Sequence, residues 1–258
     1  MKLYSFDLDG TLMPSGMTEI PEKIIDRLNS ILEKGDIILY NSGRPFEALK
    51  NFVSRASKGN VFYAVCNGAG IYDKDGHMIF YQGISHSYFI DSYLKNPSYS
   101  VYSYTSDNEI LYFEESKYID FEAMVNGQDK HIIKVDEEEP DTISFKLLFS
   151  AEPEILDTVN VNYNSDKYSL IRTKGNMAEL MDINVDKQSA IEFIVKRCRL
   201  NPDDVYAFGD ADNDYLSIKC YNGACSSIST ELCKKYAKYI SSKNEDEWVI
   251  DALNYFDK

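Results

Sequence analysis

Short apolar runs and helix-period segments take turns along the first eighty residues. Leu3 to Phe6, Ile37 to Tyr40 and Val61 to Cys66 are brief and nearly continuous in apolar character, as strands covered on both faces are. Between the first two, Ile20, Ile24, Ile25, Leu28, Ile31 and Leu32 recur at helical spacing within a segment from about Ile20 to Lys34. Gly35 then stands where a helix stop belongs. A second helix is expected from Pro45. The order βαβαβ predicts a parallel sheet.

After Asn67-Gly68-Ala69-Gly70, two short apolar segments flank an Asp75-Gly76 turn, which predicts a β-hairpin. From Ser85 to Asp182 the texture becomes polar and Tyr-rich, with alternating segments at Val101 to Tyr104, Ile110 to Phe113, Ser144 to Phe149 and Tyr168 to Arg172. This stretch reads as an α+β insert. The βα rhythm returns at Lys187, with a helix through Ala190, Ile191, Ile194 and Val195, then a strand from Val205 to Phe208. Gly209 to Asp214 opens another helix, and a last one lies near Trp248 to Phe256. The expected fold is α/β: a Rossmann-like parallel-sheet core built from residues 1–84 and 183–258, interrupted by an inserted α+β domain over 85–182.

Composition adds exclusions. With 258 residues, 44% of them hydrophobic and 27% charged, the chain is neither disordered nor of low complexity. Its 42 acidic residues exceed its 27 basic ones by 15, and no basic block occurs, so nucleic acid and anionic membranes are poor partners. Such a surface also repels an anionic substrate, so a bound cation or a local basic cluster must reverse the field at any phosphate site. No run approaches the ~20 apolar residues of a membrane span, and Met1 leads straight into the Leu3 strand without a signal-type apolar region. The five cysteines include no C-x-x-C and read as reduced core thiols, which places the protein in the cytoplasm. His77, His86 and His131 lack zinc-ligand spacing, and the acidic run Asp136 to Glu139 reads as a solvated loop. No oligomeric state is written in the pattern.

Candidate chemistry gathers at the ends of predicted strands, where open α/β sheets bind ligands. In Phe6-Asp7-Leu8-Asp9-Gly10-Thr11-Leu12, extended backbone puts Asp7 and Asp9 on one side, and Gly10 lets the chain turn away. Paired carboxylates can hold a hard cation and can divide nucleophilic and proton-transfer roles. Ser42, in Ser42-Gly43-Arg44-Pro45, ends the second strand; alone it suits an N-cap, and beside backbone N–H groups it suits a phosphate oxygen. Gly209-Asp210-Ala211-Asp212-Asn213-Asp214 packs three carboxylates into five residues, which calls for a cation. Mg²⁺ fits better than Ca²⁺, because it needs few protein carboxylates.

These motifs together resemble the haloacid-dehalogenase superfamily. Asp7-Leu8-Asp9-Gly10-Thr11 is similar to its first motif, Ser42 to its second, Lys187 at a helix start to its third, and Gly209 to Asp214 to its fourth. Asn67-Gly68-Ala69 and the long insert after the third strand resemble the Cof-type branch, whose cap closes over the site and sets substrate identity. The chain departs from that branch after Asp214, with Tyr215-Leu216-Ser217 and then Gly223 to Thr230, so the family's Asn-Ala contact is not carried over.

The resemblance implies a Mg²⁺-dependent phosphatase acting on a small phosphorylated metabolite such as a sugar phosphate. Asp7 would be the nucleophile and Asp9 the general acid and base. Asp7, the Asp9 carbonyl, Asp210 and Asp214 would hold the metal, and Leu8, Ser42, Gly43, Arg44, Lys187 and Asn213 would bind the phosphate or substrate. A phosphotransferase or phosphomutase uses the same four motifs with another acceptor. A non-catalytic Mg²⁺- or phosphate-binding regulator on this scaffold is the alternative from another class. Tyr88, Tyr93, Tyr102 and Tyr104 of the insert could stack on a sugar or base, or simply pack.

Overall fold

The computed structural model describes residues 1–107, 109–127, 132–134, 143–156, 158, 166–172 and 176–258. His131 and the Asp136 to Glu139 run lie outside these residues. The first part of the core runs β1 (Leu3–Phe6), α1 (Glu22–Glu33), β2 (Ile37–Asn41), α2 (Phe46–Val53), β3 (Asn60–Val65), β4 (Gly70–Tyr72) and β5 (Met78–Tyr81). Helix α1 buries Ile24, Ile25, Leu28, Ile31 and Leu32 on one face. It begins two residues later than the pattern suggested, because Pro21 disfavours helical backbone at Ile20.

The inserted unit contains β6 (Ile84–Ser85), α3 (His86–Lys95), β7 (Ser100–Thr105), β8 (Ile110–Tyr112), α4 (Lys117–Asn126), β9 (Ile132–Lys134), β10 (Ile143–Ser150), α5 (Pro153–Leu156), β11 (Tyr168–Arg172) and β12 (Met177–Asp182). Its sheet has the order β11-β12-β10-β7-β8-β9 among the described residues, with β6 pairing β10. Ile84, Phe89, Val101, Leu147, Phe149 and Leu180 form its apolar core. Tyr88, Tyr93, Tyr102 and Tyr104 all make contacts within their own unit. Tyr93 stacks on Phe113 at 4.3 Å and Tyr88 leans on Tyr168 at 4.4 Å. Tyr102 and Tyr104 are buried, with their hydroxyls bonded to Ser150 and Glu122.

The core resumes with α6 (Lys187–Cys198), β13 (Val205–Phe208), α7 (Tyr215–Cys220), β14 (Asn222–Ser226), α8 (Glu231–Tyr236), β15 (Tyr239–Ser241) and α9 (Trp248–Phe256). Asp212–Asp214 form a single 3₁₀ turn ahead of α7, so the expected helix starts later than Gly209. The core sheet has the order β15-β14-β13-β1-β2-β3-β4-β5, and every pair from β15 to β3 is parallel. This is the α/β class that the alternation predicted. Contacts divide the chain into 1–79 with 186–258 and 80–185, where the sequence boundaries lay at 84/85 and 182/183. None of the five cysteines is in a disulfide; Cys66, Cys225 and Cys233 are buried and Cys220 is exposed.

Register decides what this sheet can hold. Phe6 lies opposite both Phe208 and Tyr40, so the residues that follow, Asp7, Gly209 and Asn41, leave three adjacent strands at one level. The Asp7 amide continues the ladder by donating to the Phe208 carbonyl at 3.0 Å.

Candidate active site

Three segments far apart in sequence meet at these strand ends. Asp7, at the end of β1, is buried and faces Lys187, the first residue of α6. The Lys187 ammonium donates to Oδ1 of Asp7 at 2.6 Å and to Oδ1 of Asp214 at 2.8 Å. A cation at a helix N-terminus opposes the helix dipole, so the two carboxylates must hold it there. The helix start is fixed independently: Asp186 and Ser189 form a reciprocal capping box, and Asn41 at the end of β2 donates to the Lys187 carbonyl at 2.8 Å.

Asp214 is braced on both oxygens. Its Oδ2 accepts from the amides of Asp210 and Ala211, each at 3.2 Å. Asp210 accepts from the Thr11 hydroxyl at 3.2 Å, which ties the fourth motif to the first. The Thr230 amide donates to the Asp210 carbonyl at 2.9 Å, so the segment that departs from the family pattern still supports this loop. Asp212 points to solvent and takes no part.

Carboxylate oxygens of Asp7, Asp210 and Asp214 lie within 4.8 Å of one another. Burial, with Asp214 and Asp210 beside it, pushes Asp7 up to about 8 although Lys187 pulls the other way. Lys187 is raised too: burial opposes its charge, and Asp214 and Asp7 outweigh that. Once Asp7 gives up its proton, one ammonium faces three carboxylates, an excess that a divalent cation matches, and the donors are hard oxygens suited to Mg²⁺. Gly10, at φ +86°, lets the Asp9 loop approach: a Cβ there would sit 2.5 Å from Asp210 Oδ2. The residues present fit a small hard cation. Among the described residues the second oxygen of Asp7, Oδ2, accepts no hydrogen bond.

The remaining predicted residues border this cluster. Asp9 is half exposed and grips Arg44 in a fork, with Nε to Oδ2 and Nη2 to Oδ1 both at 2.8 Å. Arg44, expected to bind the phosphate or substrate, pairs with Asp9 and holds its guanidinium 4.7 Å over the Phe52 ring. Ser42 is buried at the end of β2 and its Oγ accepts from the Arg44 amide at 3.2 Å, which leaves its hydroxyl proton to donate elsewhere. Leu8 is buried, its carbonyl accepting from Thr11 and Met13, and Gly43 lies between Ser42 and Arg44. Asn213 is exposed and donates to Asn67 Oδ1 at 3.1 Å. Thr11, Asn41 and Asn67 escaped the sequence reading as site residues. Thr11 belongs to the first motif and Asn67 to Asn67-Gly68-Ala69, whereas Asn41 had only its place beside Ser42 as a signal.

Carboxylates, a buried lysine and a serine thus gather at adjacent strand ends of a Rossmann-like parallel sheet, where open α/β sheets bind ligands. The family model described as "haloacid dehalogenase-like hydrolase" matches residues 4–253, and the chain belongs to that family. Two curated relatives carry the name "Putative phosphatase": one from Streptococcus pyogenes, 23% identical across 98% of this chain and 97% of its own length, and YxeH of Bacillus subtilis, 24% identical across the same shares. A haloacid dehalogenase-like hydrolase of known structure from Bacteroides thetaiotaomicron has a TM-score of 0.82 at 24% identity, covering 99% of each chain. Among the described residues no helix is long and apolar enough to cross a membrane.

Proposed function

We propose that this chain is a Mg²⁺-dependent phosphatase that hydrolyses small phosphate monoesters, such as sugar phosphates, through a phosphoryl group carried on Asp7. The observation that carries this reading is the state of Asp7: one oxygen is anchored by Lys187, and the other accepts no hydrogen bond among the described residues. A nucleophile needs that combination of fixed direction and an unengaged lone pair. The names of the relatives support the phosphatase class.

In the first half-reaction Asp7 Oδ2 attacks phosphorus and the bond to the leaving oxygen breaks. Asp9 gives that oxygen a proton. In the second, Asp9, now a carboxylate, takes a proton from water as the water oxygen attacks phosphorus. The bond to Asp7 breaks and inorganic phosphate departs with Asp7 restored. Ser42, Lys187, Asn213 and the backbone amides of Leu8 and Gly43 donate to the phosphoryl oxygens, where charge must be held. Arg44 adds positive charge on the leaving-group side through its fork to Asp9. Asp7, Asp210, Asp214 and the Asp9 carbonyl would hold Mg²⁺, which supplies charge neutralisation that lets an anion approach a chain of net charge −15.

The test is phosphate release from p-nitrophenyl phosphate and a panel of sugar phosphates, with MgCl₂ and with EDTA, for the parent and Asp7→Asn. Turnover that needs Mg²⁺ and is lost in Asp7→Asn is expected. A folded parent that releases no phosphate from any member of the panel would overturn the reading, in favour of a phosphotransferase that needs its acceptor or of a regulator.

A further inference from the structure

The loop that leaves β3 passes through three consecutive residues at positive φ: Cys66 at 48°, Asn67 at 57° and Gly68 at 101°. Two of these carry side chains, and holding such residues in the left-handed region costs about 1 kcal/mol or more each. Asn tolerates it best among them. Asn67 is nearly buried and has no part in the reaction steps above.

This turn touches each of the other phosphate-side segments. The Cys66 amide donates to the Arg44 carbonyl at 3.0 Å and the Asn67 amide to the Ser42 carbonyl at 2.9 Å. A Cβ on Gly68 would lie 2.5 Å from the carbonyl of Asp186, the residue before Lys187. The Asn67 side chain accepts from Asn213 Nδ2 at 3.1 Å. The strained turn is thus the place where the segments bearing Ser42, Lys187 and Asn213 abut.

We infer that Asn67 is a positioning residue, which sets the amide plane of Asn213 so that its second N–H is presented to the phosphoryl group. The inference rests on the reading of Asn213 given above. An amide nitrogen has two N–H donors in one plane, so fixing one fixes the direction of the other. Only Asn serves both demands here. Glycine accepts the φ without supplying the acceptor, and aspartate supplies the acceptor with a negative charge where an anion must bind.

The experiment is a double-mutant cycle on the full chain with Asn67→Gly, Asn213→Ala and the pair, read as kcat/KM for p-nitrophenyl phosphate with Mg²⁺. Asn67→Gly relieves the φ strain, so it is expected to unfold within about 4 °C of the parent. Its kcat/KM is expected to fall roughly tenfold, the worth of one charge-assisted hydrogen bond held out of line. The pair is expected to be no worse than Asn213→Ala alone, a coupling that a merely structural role would not produce. Parent-like kcat/KM in Asn67→Gly, or a loss that adds in full to that of Asn213→Ala, overturns the inference. An Asn213→Ala variant with parent-like kcat/KM overturns it as well, by removing the contact it acts through. Should the parent release no phosphate, the function fails on its own account. The same cycle is then read from the rise in Tm caused by inorganic phosphate with MgCl₂: coupled losses of that rise sustain the inference, and independent ones end it.

Discussion

The Lys187 ammonium stands 2.6 Å from Oδ1 of Asp7, although 180 residues separate the two in the chain. Both are buried, and the same ammonium reaches Asp214 at 2.8 Å. Breaking a buried ion pair from one side leaves uncompensated charge, here on the Asp214 carboxylate, and leaves the Asp7 carboxyl without its partner. Lys187→Met is therefore expected to lose about 3 kcal/mol of stability at neutral pH, measured by urea unfolding in EDTA, and to cut kcat roughly a hundredfold. Parent-like stability together with parent-like kcat would contradict this account of the cluster.

The raised Asp7 value has a signed consequence for the metal-free protein. Asp7 keeps its proton in the folded chain up to about 8, whereas an ordinary aspartate loses it near 3.8. The folded state binds the extra proton across that window, so stability from this group is full below it and is lost as pH rises through it. In EDTA, the Tm of Asp7→Asn relative to the parent is expected to climb between pH 5 and pH 8. Thermal unfolding of the two proteins across that range checks it, and a constant difference would count against the burial argument.

Thr11 offers a test of the tie between the first and fourth motifs. Its hydroxyl donates to Asp210 at 3.2 Å from a fully buried position. Thr11→Val keeps the shape and removes that orientation, so Mg²⁺ affinity is expected to fall about tenfold, as when an outer partner of a metal ligand is lost. Titration of the Tm with MgCl₂ measures it; unchanged affinity would mean that Asp210 needs no such support.

Gly10 and Gly16 form a matched pair. Both have φ near +80°, but a Cβ on Gly10 would strike Asp210 whereas one on Gly16 has nothing within 4 Å. Gly16→Ala should cost about 1 kcal/mol, the price of left-handed backbone alone. Gly10→Ala should cost more and should also weaken Mg²⁺ binding. Equal effects of the two substitutions in urea unfolding would show that the contact with Asp210 is of no consequence.

What could be seen in the sequence follows from how local each signal is. Asp7, Asp9, Asp210 and Asp214 stand out because they cluster in short acidic motifs directly after β1 and β13, which were visible as short apolar runs. Strand β13 and helix α9 lie where the pattern put them, at Val205–Phe208 and Trp248–Phe256. Strand β14 gave no signal: Asn222-Gly223-Ala224-Cys225-Ser226 has neither alternation nor a β-branched run, and it is a strand through its tertiary pairing with β13 and β15. The grip of Arg44 on Asp9 and of Asn213 on Asn67 spans 35 and 146 residues. Such pairings depend on which strands become neighbours, and no local pattern encodes that.

The most direct test of the central claim is to trap the phosphoryl group on Asp7. The leaving group departs as p-nitrophenolate and needs no proton, so Asp9→Asn should still be phosphorylated but should lack the base that activates water. Asp9→Asn mixed with p-nitrophenyl phosphate and Mg²⁺, quenched in acid and digested, is predicted to yield a peptide containing Asp7 heavier by one phosphoryl group. Asp7→Asn treated alike should yield none. A parent enzyme that turns over the substrate, beside an Asp9→Asn variant whose Asp7 stays unmodified at every quench time, would contradict the account.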